Sequence, residues 1–104
     1  MLLAELLKDY SGKYTIELAP FNGEDYYAVP GQMSFIGKND GRFGNIMLNI
    51  NIDGAGYHEG KTAISFYGVP EDICGIVTKI IQSDGNAAQG PQWPQGDHSI
   101  FVQY

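Results

Sequence analysis

Residues 46–56 read IMLNINIDGAG, and the first seven of them decide the fold. Ile46 to Ile52 is almost continuously apolar, with Asn49 and Asn51 as its polar members. A run of that kind suits a strand covered on both faces, as in the middle of a parallel sheet, rather than one with a wet face and a dry one. Asp53 and Gly54 end it. In open α/β sheets ligands gather beyond the carboxyl ends of the strands, so Asp53 stands where a functional carboxylate belongs, although an Asp before Gly is in the first place a turn former.

The neighbouring segments supply the layers that such a strand needs. Leu2, Leu3, Leu6 and Leu7 recur at helical spacing with Glu5, Lys8 and Asp9 between them, which predicts an amphipathic helix ended by Ser11-Gly12. Tyr14 to Leu18 alternates as a strand. The turn Val29-Pro30-Gly31 leads into QMSFIGKN, a short helix, and Asn39 to Asn45 is a loop. Beyond the polar turn Tyr57 to Lys61, Thr62 to Tyr67 reads as another strand. PEDICGIVTKIIQ (70–82) has proline and acids at its start and an apolar stripe of Ile73, Ile76, Val77, Ile80 and Ile81, the pattern of a helix. Asp84 to Gly96, rich in Gly, Pro, Asn and Gln, reads as a long loop, and Asp97 is placed to cap a last helix from His98. The order α-β-α-β-β-α-loop-α predicts one α/β layered domain over residues 1–104.

Composition narrows the partners. The 104 residues are 43% hydrophobic and 17% charged, which is a folding composition for a single domain. Six basic against twelve acidic residues give a net charge of −6, which argues against nucleic acid or an anionic membrane. The single cysteine, Cys74, excludes an internal disulfide and a cysteine zinc cluster, and its apolar neighbours make it a small core residue. No segment approaches the roughly 18 apolar residues of a membrane span, and the charged opening MLLAELLKDY is not a signal peptide.

Three polar groups lie where strands or the long loop end: Glu24-Asp25 in FNGEDYY (21–27), Asp53, and Asp97-His98 in GDHSIF (96–101). Each alone is ordinary turn or cap chemistry. Together they offer carboxylate and imidazole donors of the kind zinc accepts, with one carboxylate left over. A hydrolytic metal centre needs such a group, because its general base does not bind the metal.

FNGEDYY, LNINIDGAG and GDHSIF, in that order, resemble the di-zinc aminopeptidase family. It comprises the leucyl aminopeptidases and the S- and Y-type zinc exopeptidases, with glutaminyl cyclases as relatives. The resemblance runs over nearly the whole chain. It implies a partial three-layer α/β sandwich of the zinc-exopeptidase (phosphorylase/hydrolase-like) type, with a mostly parallel central sheet and flanking helices. By the same resemblance Glu24 is the general base. Asp25 and His98 bind one zinc, Asp53 binds the other, and Asp97 supports the ligands from behind. A pocket drawing on Tyr26, Tyr57 and Trp93 would take the peptide substrate. His58, in a polar turn, is a solvated residue.

The chain also departs from that family. Asp25 stands where Glu is more usual, so its shorter side chain must reach further. The family's upstream histidine ligand and bridging aspartate have no counterpart here. On this reading the sequence is the C-terminal middle of a peptidase domain, weak or inactive in isolation although the complete form binds two zinc ions. Its uncovered apolar surface favours self-association or a homodimer. Two alternatives stand beside it: a non-catalytic α/β binding or assembly module, and a small acidic ligand-binding domain without metal.

Overall fold

Helix α3 (Glu71–Ser83) is the longest helix of the described residues and crosses over between the two paired strands. Its start follows from sequence: Pro70 precedes it, Glu71 and Asp72 occupy the first turn, and the Asp72 carboxylate accepts the Ile73 N–H at 2.9 Å. Ile73, Val77 and Ile81 of its stripe are half-buried, whereas Ile76 and Ile80 are exposed. The helix ends as the Asp84 N–H bonds the Ile80 carbonyl. Asp84 then turns the chain, its carboxylate accepting the Asn86 N–H at 2.9 Å, the local turn chemistry that Asp favours.

That turn launches strand β2 (Ala87–Gln89), which pairs in parallel with β1 (Thr62–Ile64) in the register Thr62–Ala87, Ala63–Ala88, Ile64–Gln89. The expected long loop from Asp84 to Gly96 therefore contains a strand. The βαβ unit is a small parallel sheet with one helix packed on it. The computed structural model describes residues 2–54 and 56–103, where the remaining elements are α1 (Leu2–Leu7), α2 (Pro30–Lys38), a 3-10 turn (Phe43–Asn45) and α4 (Ser99–Gln103). Met1, at the head of the expected first helix, and Ala55 of the DGAG turn lie outside the described residues.

The expected strands at 14–18 and 46–52, and residues 65–67 of the third, have no ladder partner among the described residues. The physical reason is that a strand pattern fixes side-chain alternation locally, while pairing needs a second backbone alongside. The described sheet is two-stranded, a mixed helix/strand architecture, and Met47 and Ile50 stand 72% and 74% exposed. No helix among the described residues is long and apolar enough to cross a membrane.

A second packing centre joins α2 to α4. The ring of Phe35 on α2 contacts Phe21, Phe43 and Phe101 at centroid distances of 5.1, 6.0 and 5.6 Å, and Phe43 contacts Phe101 at 5.8 Å. The tilted and edge-on geometries are those that aromatic quadrupoles prefer. Ile100 beside it is buried. This cluster holds together two chain regions far apart in sequence: the loop before α2, which carries Glu24 and Asp25, and the entry to α4, which carries Asp97 and His98.

Candidate metal and acid–base centre

The loop that presents Glu24 and Asp25 is closed tightly. Gly31 N–H donates to the Asn22 carbonyl at 3.2 Å, and successive turns run from Gly23 to Tyr26 and from Tyr26 to Val29. A Cβ on Gly31 would lie 2.4 Å from the Asn22 oxygen, so the closure requires glycine there. Val29, which caps α2, is left-handed at φ +36°, a conformation costly for a β-branched residue by about 1–3 kcal/mol. The loop is therefore bent against the preference of its own backbone to place Glu24 inward, half-buried, while Asp25 stays exposed.

Glu24 is the hub. Its carboxyl is held above the ordinary glutamate range. A hydrogen bond shared with Asp25 is the main cause, followed by desolvation and then by the negative charges of Asp25, Asp97 and Asp53. All four carboxylates of the sequence-based reading thus lie in one electrostatic neighbourhood.

His98 enters from the other side and is fixed on several faces. Its Nε2 lies 2.9 Å from the Trp93 carbonyl, which can only accept, so Nε2 is the donor there and Nδ1 is the nitrogen left to act as a ligand when it carries no proton. Tyr67 packs on the imidazole at 4.5 Å between centroids, and its hydroxyl donates to the same Trp93 carbonyl at 2.9 Å. The loop after β2 runs along the segment after β1, with Ser65 donating to the Pro91 carbonyl and Gln92 to the Phe66 carbonyl, both at 2.6 Å.

The two sides meet beside Gly96. This residue is buried at φ +124°, a conformation open to glycine. The position a Cβ would take there lies 3.1 Å from His98 Nδ1 and 3.9 Å from Asp53 Oδ2. The hollow left by the missing side chain is thus faced by an imidazole lone pair and a carboxylate oxygen.

Asp97 accepts a hydrogen bond from the Gln32 side-chain amide at 2.9 Å. Gln32, on α2, is 7% exposed, and burying an amide without a partner costs about 1–3 kcal/mol. Sequence reasoning passed over Gln32 because a polar residue in a short amphipathic helix reads as solvent-facing; QMSFI offers no local sign that its first residue points inward. It passed over Tyr67 for a related reason, since Tyr67 acts on Trp93 and His98 through contacts distant in sequence.

Asp53 Oδ2 and His98 Nδ1 each lie within 4 Å of the Cβ position on Gly96, and the charges of Asp25, Asp53 and Asp97 all bear on Glu24. Among the described residues no three His, Cys, Asp or Glu side chains stand as a complete metal-binding group. Of the expected pocket residues, Trp93 lines a cavity of about 100 Å³ together with Tyr67, Pro94, His98 and Val102. Tyr26 and Tyr57 are exposed, and the Tyr57 hydroxyl reaches Glu59. A wider cleft of about 370 Å³ lies against Tyr67, Gly68, Gln92 and Phe101. His58 stands in solvent beside Glu59. Comparisons of the chain with protein-family models, with curated proteins and with solved structures find no match.

Proposed function

We propose that this chain is the metal-site portion of a zinc-dependent aminopeptidase-type hydrolase, one that removes N-terminal residues from peptides in its complete form and is weak or inactive alone. The observation that carries the reading is the meeting of Asp53 Oδ2 and His98 Nδ1 around the Gly96 hollow, with Glu24 close enough to feel the Asp53 charge. The fold belongs to the same proposal: segments 14–18 and 46–52 are strands of a mostly parallel central sheet in a three-layer zinc-exopeptidase sandwich.

The donor chemistry fits zinc, which takes imidazole nitrogen and carboxylate oxygen. Asp25 and His98 would hold one zinc and Asp53 the other. Bound there, zinc supplies positive charge that acidifies water and polarises a peptide carbonyl. Glu24 takes the proton of the attacking water and returns it to the leaving amine; its proton affinity, raised above the ordinary glutamate range chiefly by its hydrogen bond with Asp25, favours that uptake. Tyr67 and the Trp93 carbonyl keep the imidazole from turning its Nδ1 away. The Trp93–Pro94 cavity beside His98 accepts an apolar side chain of the peptide.

The test is zinc titration against a chelating dye, with hydrolysis of aminoacyl anilides, for wild type, Glu24→Gln and His98→Ala. Saturable zinc binding that His98→Ala loses is expected. Any anilide turnover should vanish in Glu24→Gln while zinc binding persists. Equal zinc binding by wild type and His98→Ala sinks the reading. A second reading, a non-catalytic binding or assembly module, is favoured by the exposed apolar run at 46–52; zinc-independent capture of peptides would support it.

A further inference from the structure

Gln32 is the buried polar side chain of the described residues, and it spends its amide on the site. Its Nε2 donates to Asp97 Oδ1 at 2.9 Å, across a separation of 65 residues. Three positions further along α2, Phe35 packs on Phe101 of α4 at 5.6 Å. The two helices therefore share two ties of different character. The aromatic one belongs to a cluster of four rings and holds the helices together whatever happens at Gln32. The amide tie is directional. It fixes where the Asp97 carboxyl points, and Asp97 is bonded through its backbone to His98.

We propose that Gln32 is a positioning residue of the cation site: its amide anchors Asp97 and thereby sets the His98 imidazole against Asp53 across the Gly96 hollow. Gln32 touches neither cation nor peptide. It acts through Asp97, whose carboxyl would otherwise be free to turn and take the start of α4 with it. Partners that orient metal ligands in this indirect way change metal affinity by about 10–100-fold when removed. The inference rests on the zinc reading above.

Its test measures zinc affinity by dye competition and the visible spectrum of the cobalt(II) form, together with the unfolding midpoint of the metal-free chain. Gln32→Met keeps the length of the side chain and deletes the donor. It should weaken zinc about 10–100-fold and alter the cobalt spectrum, while the four-ring cluster keeps the midpoint close to wild type. Gln32→Glu sets a carboxyl against Asp97 and should weaken zinc as well. Adding Asp97→Asn to Gln32→Glu reverses donor and acceptor, restores the tie and should recover most of the loss, which a simple packing role would not do.

Wild-type zinc affinity and an unchanged cobalt spectrum in Gln32→Met overturn the inference while leaving the zinc site standing. Zinc binding that survives His98→Ala overturns the site itself, and this inference with it. If Gln32→Met fails to fold, the comparison of Gln32→Glu with Gln32→Glu/Asp97→Asn decides: recovery supports the positioning role, and no recovery overturns it.

Discussion

Replacing Gly96 by alanine tests the hollow between Asp53 and His98 with a single methyl group. Two costs follow from the coordinates. At φ +124° an L-residue is strained, by about 1–3 kcal/mol. The added Cβ would also sit 3.1 Å from Nδ1 and 3.2 Å from Cε1 of His98, so the ring must give by a few tenths of an ångström. It cannot do so freely, since the Trp93 carbonyl holds one edge and Tyr67 covers a face; loosening that hydrogen bond costs about 1 kcal/mol more. A loss of about 2–4 kcal/mol lowers the unfolding midpoint of a domain this size by on the order of 10–20 °C. Zinc affinity should fall as well, because the methyl covers the lone pair that would bind it.

The assay is thermal unfolding in chelator, followed by zinc titration at a temperature where both proteins are folded. Gly75→Ala is the control: it lies within α3 with no heavy atom within 4 Å of the new Cβ, and should gain roughly 0.5–1 kcal/mol through helix propensity. A D-alanine at 96, introduced by ligating a synthetic peptide that begins at Cys74, relieves the φ strain and points its methyl elsewhere. It should recover both midpoint and zinc affinity. Gly96→Ala with the wild-type midpoint and wild-type zinc binding would refute the reasoning, since both the strain and the crowding would then be fictions.

Two other predictions use different features. Glu24 binds its proton more tightly in the folded chain than in the unfolded one, so in chelator the folded state holds more protons above about pH 4.5 and stability falls as pH rises through the raised pKa; Glu24→Gln should flatten that dependence, and an unchanged slope in urea melts at several pH values would remove Glu24 from the acid cluster. Self-association should appear on sizing columns, because the chain exposes 8736 Å² where a compact monomer of 11.4 kDa exposes about 5,800 Å²; a clean monomer at high concentration contradicts it.

What could be read from the chain depended on how local the cause was. Helix α3 was legible because its stripe, proline start and first-turn acids all lie within its own span. Strand β2 was not: Ala-Ala-Gln has no β-branched residue, and its extended form comes from pairing with Thr62–Ile64. The Asp84 turn and the need of a parallel strand for a crossover helix were the available signals. At 46–52 the strand pattern was plain while no partner pairs with it among the described residues, since pattern is a property of one segment and pairing of two. Glu24-Asp25, Asp53 and Asp97 were each legible as polar residues where an apolar run or a loop ends, and the charges of Asp25, Asp97 and Asp53 all bear on Glu24. The grip of Gln32 on Asp97 was invisible, as a contact over 65 residues leaves no periodicity behind.

On the zinc reading, the unpaired run 46–52 and the want of a three-residue metal group among the described residues share one cause. His98 is fixed by the Trp93 carbonyl, the Tyr67 ring and, through Asp97, by Gln32. Asp53 follows the run 46–52, which is exposed and without a ladder partner among the described residues. Fixing a backbone residue costs about 1–2 kcal/mol, and a cation that captures Asp53 must bear that cost over several residues of the approach. A surface that pairs with 46–52 bears it instead, whether that surface is a second copy or another part of a larger sheet. Pairing and cation binding are then reciprocally coupled: each raises the affinity of the other by the same factor. On the zinc reading, the His98 side of the site is held within this chain by the Trp93 carbonyl, the Tyr67 ring and, through Asp97, by Gln32, and the Asp53 side would be held by whatever pairs with 46–52.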